Sequence, residues 1–305
     1  MPKDFISLAD WPADELLAML QRARELKRLH RSGQRLRTLE GRCLAVFFEK
    51  PSLRTHVTFE AGMTQLGGHA IWLRPDQVGI GTRETAADVA ANLSLWVDAI
   101  LARTFDHGLV EELAAVANIP VINGLTDLLH PCQVMADLQT MQERKPLEDS
   151  AIAYLGDGNN MANSLMLGAA VLGLELRLAT PDDYRPALRV CKRSEELAAA
   201  SGARIHWSED PAEAVSGADF VYTDVWASMG HEHEQELRRE VFRAYQVNAE
   251  LMRHAPRAWV MHCLPAHRGE EITDEVLDGE RSIVFDQAEN RMHAQKAILE
   301  RLLAN

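Results

Sequence analysis

Short apolar runs alternate with amphipathic stretches along nearly the whole chain, and this alternation narrows the fold more than any other feature of the sequence. Cys43 to Phe48, Ala70 to Leu73, Ala99 to Ala102 and Pro120 to Ile122 read as strands. Between them, His56 to Leu66, Thr85 to Trp96 and Glu111 to Ala117 read as helices. Ahead of them, Leu16, Leu20, Ala23 and Leu26 recur at helical spacing with charges between, which predicts a helix from Asp14 to Arg31 closed by Ser32-Gly33. Strands and helices in strict alternation build parallel sheets covered on both faces.

The pattern restarts after the charge-dense Gln142-Glu143-Arg144-Lys145-Pro146, with Ala151 to Leu155 as strand, Asn163 to Leu172 as helix and Glu175 to Ala179 as strand. Arg204 to Trp207, Phe220 to Thr223, Trp259 to His262 and Ile283 to Phe285 supply further strands, and Ala288 to Leu303 a terminal helix. The fold class expected is α/β with two doubly wound parallel-sheet domains, 1–142 and 143–287. At ~150 residues each, two domains suit the chain length.

Composition excludes several classes of function. With 45 acidic against 32 basic residues the formal net charge is -13, and no stripe of Lys and Arg offers a footprint for nucleic acid. Cys43, Cys132, Cys191 and Cys263 lie far apart without a CxxC pair, which argues against a disulfide framework and a cysteine-rich zinc site. The N-terminus opens no signal-peptide core, and no run of ~18 apolar residues could span a bilayer. A soluble cytoplasmic protein is expected, with neither a membrane nor a nucleic acid as partner.

In open parallel sheets, ligands sit beyond the carboxyl ends of the strands. Glu49 to Thr55 follows one strand and opens a helix, so Ser52, Arg54 and Thr55 stand where helix N–H groups point, and an oxyanion suits that place. The plainer reading of Ser52 is a helix cap. Arg103 ends a strand, and His130-Pro131-Cys132-Gln133 offers an imidazole and an amide suited to a carbonyl and its neighbouring amide. Gly156-Asp157-Gly158-Asn159-Asn160-Met161 approaches the dinucleotide fingerprint GxGxxG. Met161 replaces its third glycine, however, and Thr180-Pro181 stands where a ribose-binding acid would follow. Asp224 through Gly230 offers an acid, a hydroxyl and a flexible glycine, which suits a zwitterionic amino acid. The following His231-Glu232-His233 places its histidines two apart, so they do not share a helix face, and no metal is expected. Cys263 follows an apolar strand, and the bond before Pro265 has the option of being cis.

Taken together, Phe48-Glu49-Lys50-Pro51-Ser52-Leu53-Arg54-Thr55, Gln65-Leu66-Gly67-Gly68-His69, Val121-Ile122-Asn123-Gly124-Leu125, His130-Pro131-Cys132-Gln133, Gly156 to Asn160, Asp224 to Gly230, His262-Cys263-Leu264-Pro265 and Ala288-Glu289-Asn290-Arg291 resemble the aspartate/ornithine carbamoyltransferase family, most closely its ornithine-using members. The resemblance implies an N-terminal domain for carbamoyl phosphate, with the terminal helix 288–305 packing back on it, and a C-terminal domain for L-ornithine. It implies an active site in the cleft between them, a homotrimer or a multiple of trimers, and no metal or organic cofactor. It assigns carbamoyl phosphate to Ser52, Leu53, Arg54, Thr55, Arg103, His130, Gln133 and Arg291, with Cys263 and Leu264 lining the reacting centre and Gln77 lent to a neighbouring subunit. Arg54, Arg103, His130 and Cys263 carry the chemistry in that reading. Asn160, Asp224, Ser228 and Met229 hold the amino acid. Two departures stand out: Leu53 and His56 replace the commoner Thr and Arg, and the Gln77 loop is longer than common versions. The rivals are a sister carbamoyltransferase using another amine, an NAD-dependent dehydrogenase, and a silent relative kept for binding.

Overall fold

The computed structural model describes residues 2–227 and 234–304. The chain forms two compact units, Met1–Gln139 with Glu289–Asn305, and Thr140–Ala288. The first contains β1 (Cys43–Phe48), β2 (His69–Leu73), β3 (Ala99–Arg103) and β4 (Val121–Leu125), all parallel in the order β2-β1-β3-β4. The second contains β5 (Ala151–Leu155), β6 (Glu175–Ala179), β7 (Arg204–Ser208), β8 (Phe220–Thr223) and β9 (Trp259–His262), parallel in the order β7-β6-β5-β8-β9.

The apolar runs are strands because both faces of each sheet are covered. Every residue of β3 and β8 is buried, so neither strand needs the polar alternation of a half-exposed sheet. In the first unit Ala45, Ile100, Val110, Leu113 and Val121 share a core. In the second, Leu155, Val221, Trp226, Phe242 and Val260 do. Helix Leu53–Gln65 turns Thr55, Phe59, Gly62 and Met63 inward, the one-face spacing of an amphipathic helix. Truncating the fully buried Phe59 to Ala would cost ~3–5 kcal/mol.

Several boundaries differ from expectation. Ile283 to Phe285 is not a strand: a helix begins at Val284 and continues to Leu303, while Ser282 alone bridges to Val260. A three-residue apolar run cannot distinguish a strand from a helix start, and Phe285 is exposed. β4 continues through Asn123-Gly124-Leu125, residues whose types suggest a turn. The register with β3 shifts there, and a Cβ on Gly124 would lie 3.1 Å from the Leu101 side chain and 3.2 Å from the Ala102 carbonyl, so this bulge favours glycine. Helices begin at Leu53 and Asn160, ahead of the predicted His56 and Asn163, because Ser52 and Asn159 cap them with their side chains.

In both sheets the order in which strands are added reverses at one point. The chain leaves the first sheet's starting strand β1 toward β2 on one side and later fills β3 on the other, which opens a crevice at the carboxyl ends of β1 and β3. The second sheet does the same at β5 and β8. These two crevices hold the strand-end residues singled out in the sequence.

Candidate active site

In the first unit, Ser52 caps the helix by accepting the Thr55 N–H at 3.2 Å. Thr55 is wholly buried and its Oγ1 accepts from Arg291 at 2.7 Å. Arg291 also donates to Gln133 Oε1, while Gln133 Nε2 donates to Asp137 at 2.7 Å. Arg103, at the end of β3, points its Nε at the Lys50 carbonyl, 3.2 Å away. The ammonium of the buried Lys50 is held by Asp127. Thus three segments far apart in sequence, after β1, after β3 and in the terminal helix, deliver guanidinium groups to one place.

The electrostatics of His130 report that convergence. Burial, then the charges of Arg291, Arg103 and Arg54, hold its imidazole well below the usual 6.5. It is therefore neutral at pH 7, with a single ring N–H. Burial pushes the neighbouring Cys132 thiol up to about 12, and its Sγ–H donates to the Asn123 carbonyl at 3.3 Å, so it acts as an anchor rather than a nucleophile. The arrangement suits an anion beside a carbonyl oxygen that gains charge.

In the second unit, Asp224 follows β8 and is 6% exposed. Asn159 Nδ2 donates to one of its carboxylate oxygens at 2.9 Å and Cys263 Sγ donates to the other at 3.0 Å. Among the described residues no cationic side chain pairs with it. A buried carboxylate with only an amide and a thiol for partners calls for a positive ligand. The turn after β9 adds Leu264, whose φ of 58 lies in the left-handed region, and the Leu264-Pro265 bond is cis.

The structure gathers Ser52, Arg54, Thr55, Arg103, His130, Gln133 and Arg291 in the first unit, and Asp224 and Cys263 in the second. Asn160 opens the helix that Asn159 caps. Leu53 is 75% exposed and contributes no side chain to the cluster. Gln77 is exposed on the short helix Pro75–Val78. Ser228, Met229 and the His231-Glu232-His233 stretch lie outside the described residues. His56 does not join the arginines: its ring stacks on Trp72, with centroids 3.4 Å apart, and its Nε2 lies 3.1 Å from Glu60.

Sequence reasoning missed Asn159, Lys50 and Asp137. Asn159 had a local signal, as a cap four residues past a strand end, and Asp137 lies one helical turn beyond Gln133. Asp224, His262 and Cys263 bring potential metal-ligand atoms within 4.8 Å of one another. The glycines of the GxGxx stretch have another use: a Cβ on Gly158 would sit 2.3 Å from the Arg185-Pro186 backbone. Gly158 admits that close backbone approach, so a pyrophosphate is not needed to explain it.

Residues 3–143 match the family described as aspartate/ornithine carbamoyltransferase, carbamoyl-P binding domain, and residues 148–302 match its Asp/Orn binding domain. An ornithine carbamoyltransferase of Anoxybacillus flavithermus is 53% identical over 303 residues, 99% of this chain and 96% of the relative. One of Pyrococcus furiosus, described as anabolic, is 50% identical over 299 residues, 97% of this chain and 95% of its own. Among solved structures, an ornithine carbamoyltransferase from Pyrococcus furiosus superposes with a TM-score of 0.95 at 49% identity, covering 98% of this chain and 96% of that one. Another, from Thermus thermophilus, gives 0.88 at 45% identity and covers 99% of both.

Proposed function

The chain belongs to the aspartate/ornithine carbamoyltransferase family, and from that premise we propose that it moves the carbamoyl group of carbamoyl phosphate to the δ-amine of L-ornithine, giving L-citrulline and phosphate. The observation that carries the choice of substrates is a complementarity of charge: guanidinium groups surround a neutral His130 in one unit, and in the other Asp224 is buried with no cationic partner among the described residues.

Carbamoyl phosphate takes the first of these. Ser52, Thr55 and the helix N–H groups, with Arg54 and Arg291, hold the phosphate that will leave. Arg103, His130, Arg54 and Thr55 face the carbonyl oxygen, and Gln133 the amide. Donors fixed beforehand stabilise the tetrahedral oxyanion without rearranging during attack. Ornithine takes the second, with its α-ammonium on Asp224, its carboxylate near Asn160, Ser228 and Met229, and its δ-amine toward Cys263 and Leu264. No step uses a metal, an organic cofactor or a covalent cysteine.

The nucleophile must be a neutral amine. With a free pKa near that of lysine, ~10.4, about one ornithine in a few thousand is ready at pH 7, a handicap of ~4.6 kcal/mol. Burial beside Leu264 and nearby cations lower that pKa once the amine is bound. In the assay, kcat/KM for ornithine should rise about tenfold per pH unit through the acid-to-neutral range. No citrulline from the purified protein, or a flat profile, overturns the reading.

The finer assignments follow from the same reading. No described helix is long and apolar enough to cross a membrane, and the expected location is the cytoplasm. Leu53, Val57, Leu95 and Trp96 are more than half exposed on the first unit, which supports assembly into a homotrimer that also brings Gln77 to a neighbouring site. The anabolic label of the Pyrococcus furiosus relative supports a biosynthetic direction, toward arginine.

A further inference from the structure

The Cys263-Leu264 turn is anchored from behind by two wholly buried side chains, His262 and Glu271. The Leu264 N–H donates to His262 Nδ1 at 2.8 Å, so that nitrogen carries no proton. In a neutral imidazole the proton then sits on Nε2. Nε2 lies 2.9 Å from Glu271 Oε1 and donates to it, and the His267 N–H donates to the same oxygen at 2.6 Å. One carboxylate oxygen thus ties both ends of the turn, His262 and His267. Between those ends, Leu264 holds its φ of 58 and Cys263 reaches forward to Asp224. A left-handed leucine needs its neighbours to hold it in place. The N–H that His262 grips is its own.

We propose that His262 and Glu271 are positioning residues for carbamoyl transfer: Glu271 selects the Nε2–H tautomer of His262, and the bare Nδ1 fixes the Leu264 N–H, and with it the turn presented to the incoming amine. The proposal rests on the assignment of Cys263 and Leu264 to the reacting centre. Neither residue needs to touch substrate. A buried carboxylate costs free energy that a leucine in its place would not, and what it supplies here is the orientation of a ring. The same logic gives outer-shell partners of histidine their influence in metal sites.

Four variants of the full chain test this, with citrulline formation and equilibrium binding of carbamoyl phosphate measured on each. Glu271→Gln keeps an oxygen for both donors and Glu271→Leu does not. His262→Asn keeps an acceptor near the place of Nδ1 and His262→Leu does not. The two Leu variants should lose about 10- to 100-fold in kcat, because a small misplacement of a reacting group costs about that much. Carbamoyl phosphate affinity should stay within about twofold, and the Gln and Asn variants should recover most of the rate. Equal losses in the polar and apolar variants would overturn the proposal. If the Leu variants do not fold, the spectrum of the wild-type protein with 15N-labelled histidine decides, assigned by the His262→Asn difference. A proton on Nε2 and none on Nδ1 supports the tautomer, and the reverse refutes it. Wild-type protein that makes no citrulline would refute the functional reading instead, and the tautomer spectrum still reports on the clamp.

Discussion

Arg291 in the terminal helix donates to Thr55 Oγ1 in the helix after β1 at 2.7 Å, across 236 positions of sequence. The chain's last helix therefore completes a site that its first strand begins, and Gln133 takes the other arm of the same guanidinium. Arg291→Met removes a charged donor from two buried acceptors, which is worth ~1.5–3 kcal/mol per lost bond. Carbamoyl phosphate affinity should fall at least tenfold in a direct binding titration, with a smaller change in KM for ornithine. Unchanged carbamoyl phosphate affinity would place Arg291 outside the anion site.

Arg54 is half-buried in the first turn of its helix, so its removal should spare the fold. Arg54→Ala should lower kcat by about 10² to 10³, the usual loss for one donor to a developing oxyanion, or ~3–4 kcal/mol. The melting temperature should move by only a few degrees. A folded Arg54→Ala protein with wild-type citrulline production contradicts the assignment.

His56 tells a different story in space than in sequence. Its position in the motif suggests charge for the phosphate, and on that basis His56→Arg would tighten carbamoyl phosphate. Its ring instead stacks on Trp72 beside Glu60. The substitution should change carbamoyl phosphate affinity by less than about twofold and cost ~0.5–1 kcal/mol of stability as the stacked pair is lost. A clear gain in affinity in the same titration would restore the electrostatic role.

Stability should fall in mild acid. Burial, then the charges of Arg291, Arg103 and Arg54, keeps His130 well below 6.5, and burial, then Lys296, lowers His293 to about 3. An unfolded histidine takes up its proton near 6.5, so below that pH the unfolded chain binds protons that the folded one refuses. The stabilisation is present in full above 6.5 and declines as pH falls, by up to ~1.4 kcal/mol per pH unit for each histidine. Urea midpoints between pH 7.5 and 5.5 should show this decline, and His293→Gln should remove part of it. Midpoints independent of pH would contradict the buried neutral state.

Much of this was legible in the sequence because the strands are continuous apolar runs, and the functional residues follow them directly. β1, β5, β6, β8 and β9 begin and end where the runs do. β4 extends past the expected end at Ile122 because Asn123 is buried and Gly124 fits a bulge. The motif residues Arg54, Arg103 and His130 stand out by their strand-end or helix-start positions. Lys50 and Glu271 do not, because each acts through a partner in another segment, Asp127 and His262, and no periodicity records such pairs. Asn160 is the residue the motif nominates, yet it is the Asn159 amide that meets Asp224.

Carbamoyl transfer to ornithine depends on the pairing of an anion cradle with a buried carboxylate suited to an ammonium group. The most direct measurement is citrulline formation from carbamoyl phosphate with ornithine, set against carbamoyl transfer to acetylornithine, putrescine and aspartate. Acetylornithine keeps the δ-amine but has no α-ammonium for Asp224, putrescine has no carboxylate, and aspartate has no δ-amine. Leaving a buried charge unpaired typically costs a factor of ~10² or more in discrimination. Ornithine should therefore exceed each of the others in kcat/KM by at least ~10²-fold. A preference for acetylornithine or putrescine, or no transfer to ornithine at all, would contradict it.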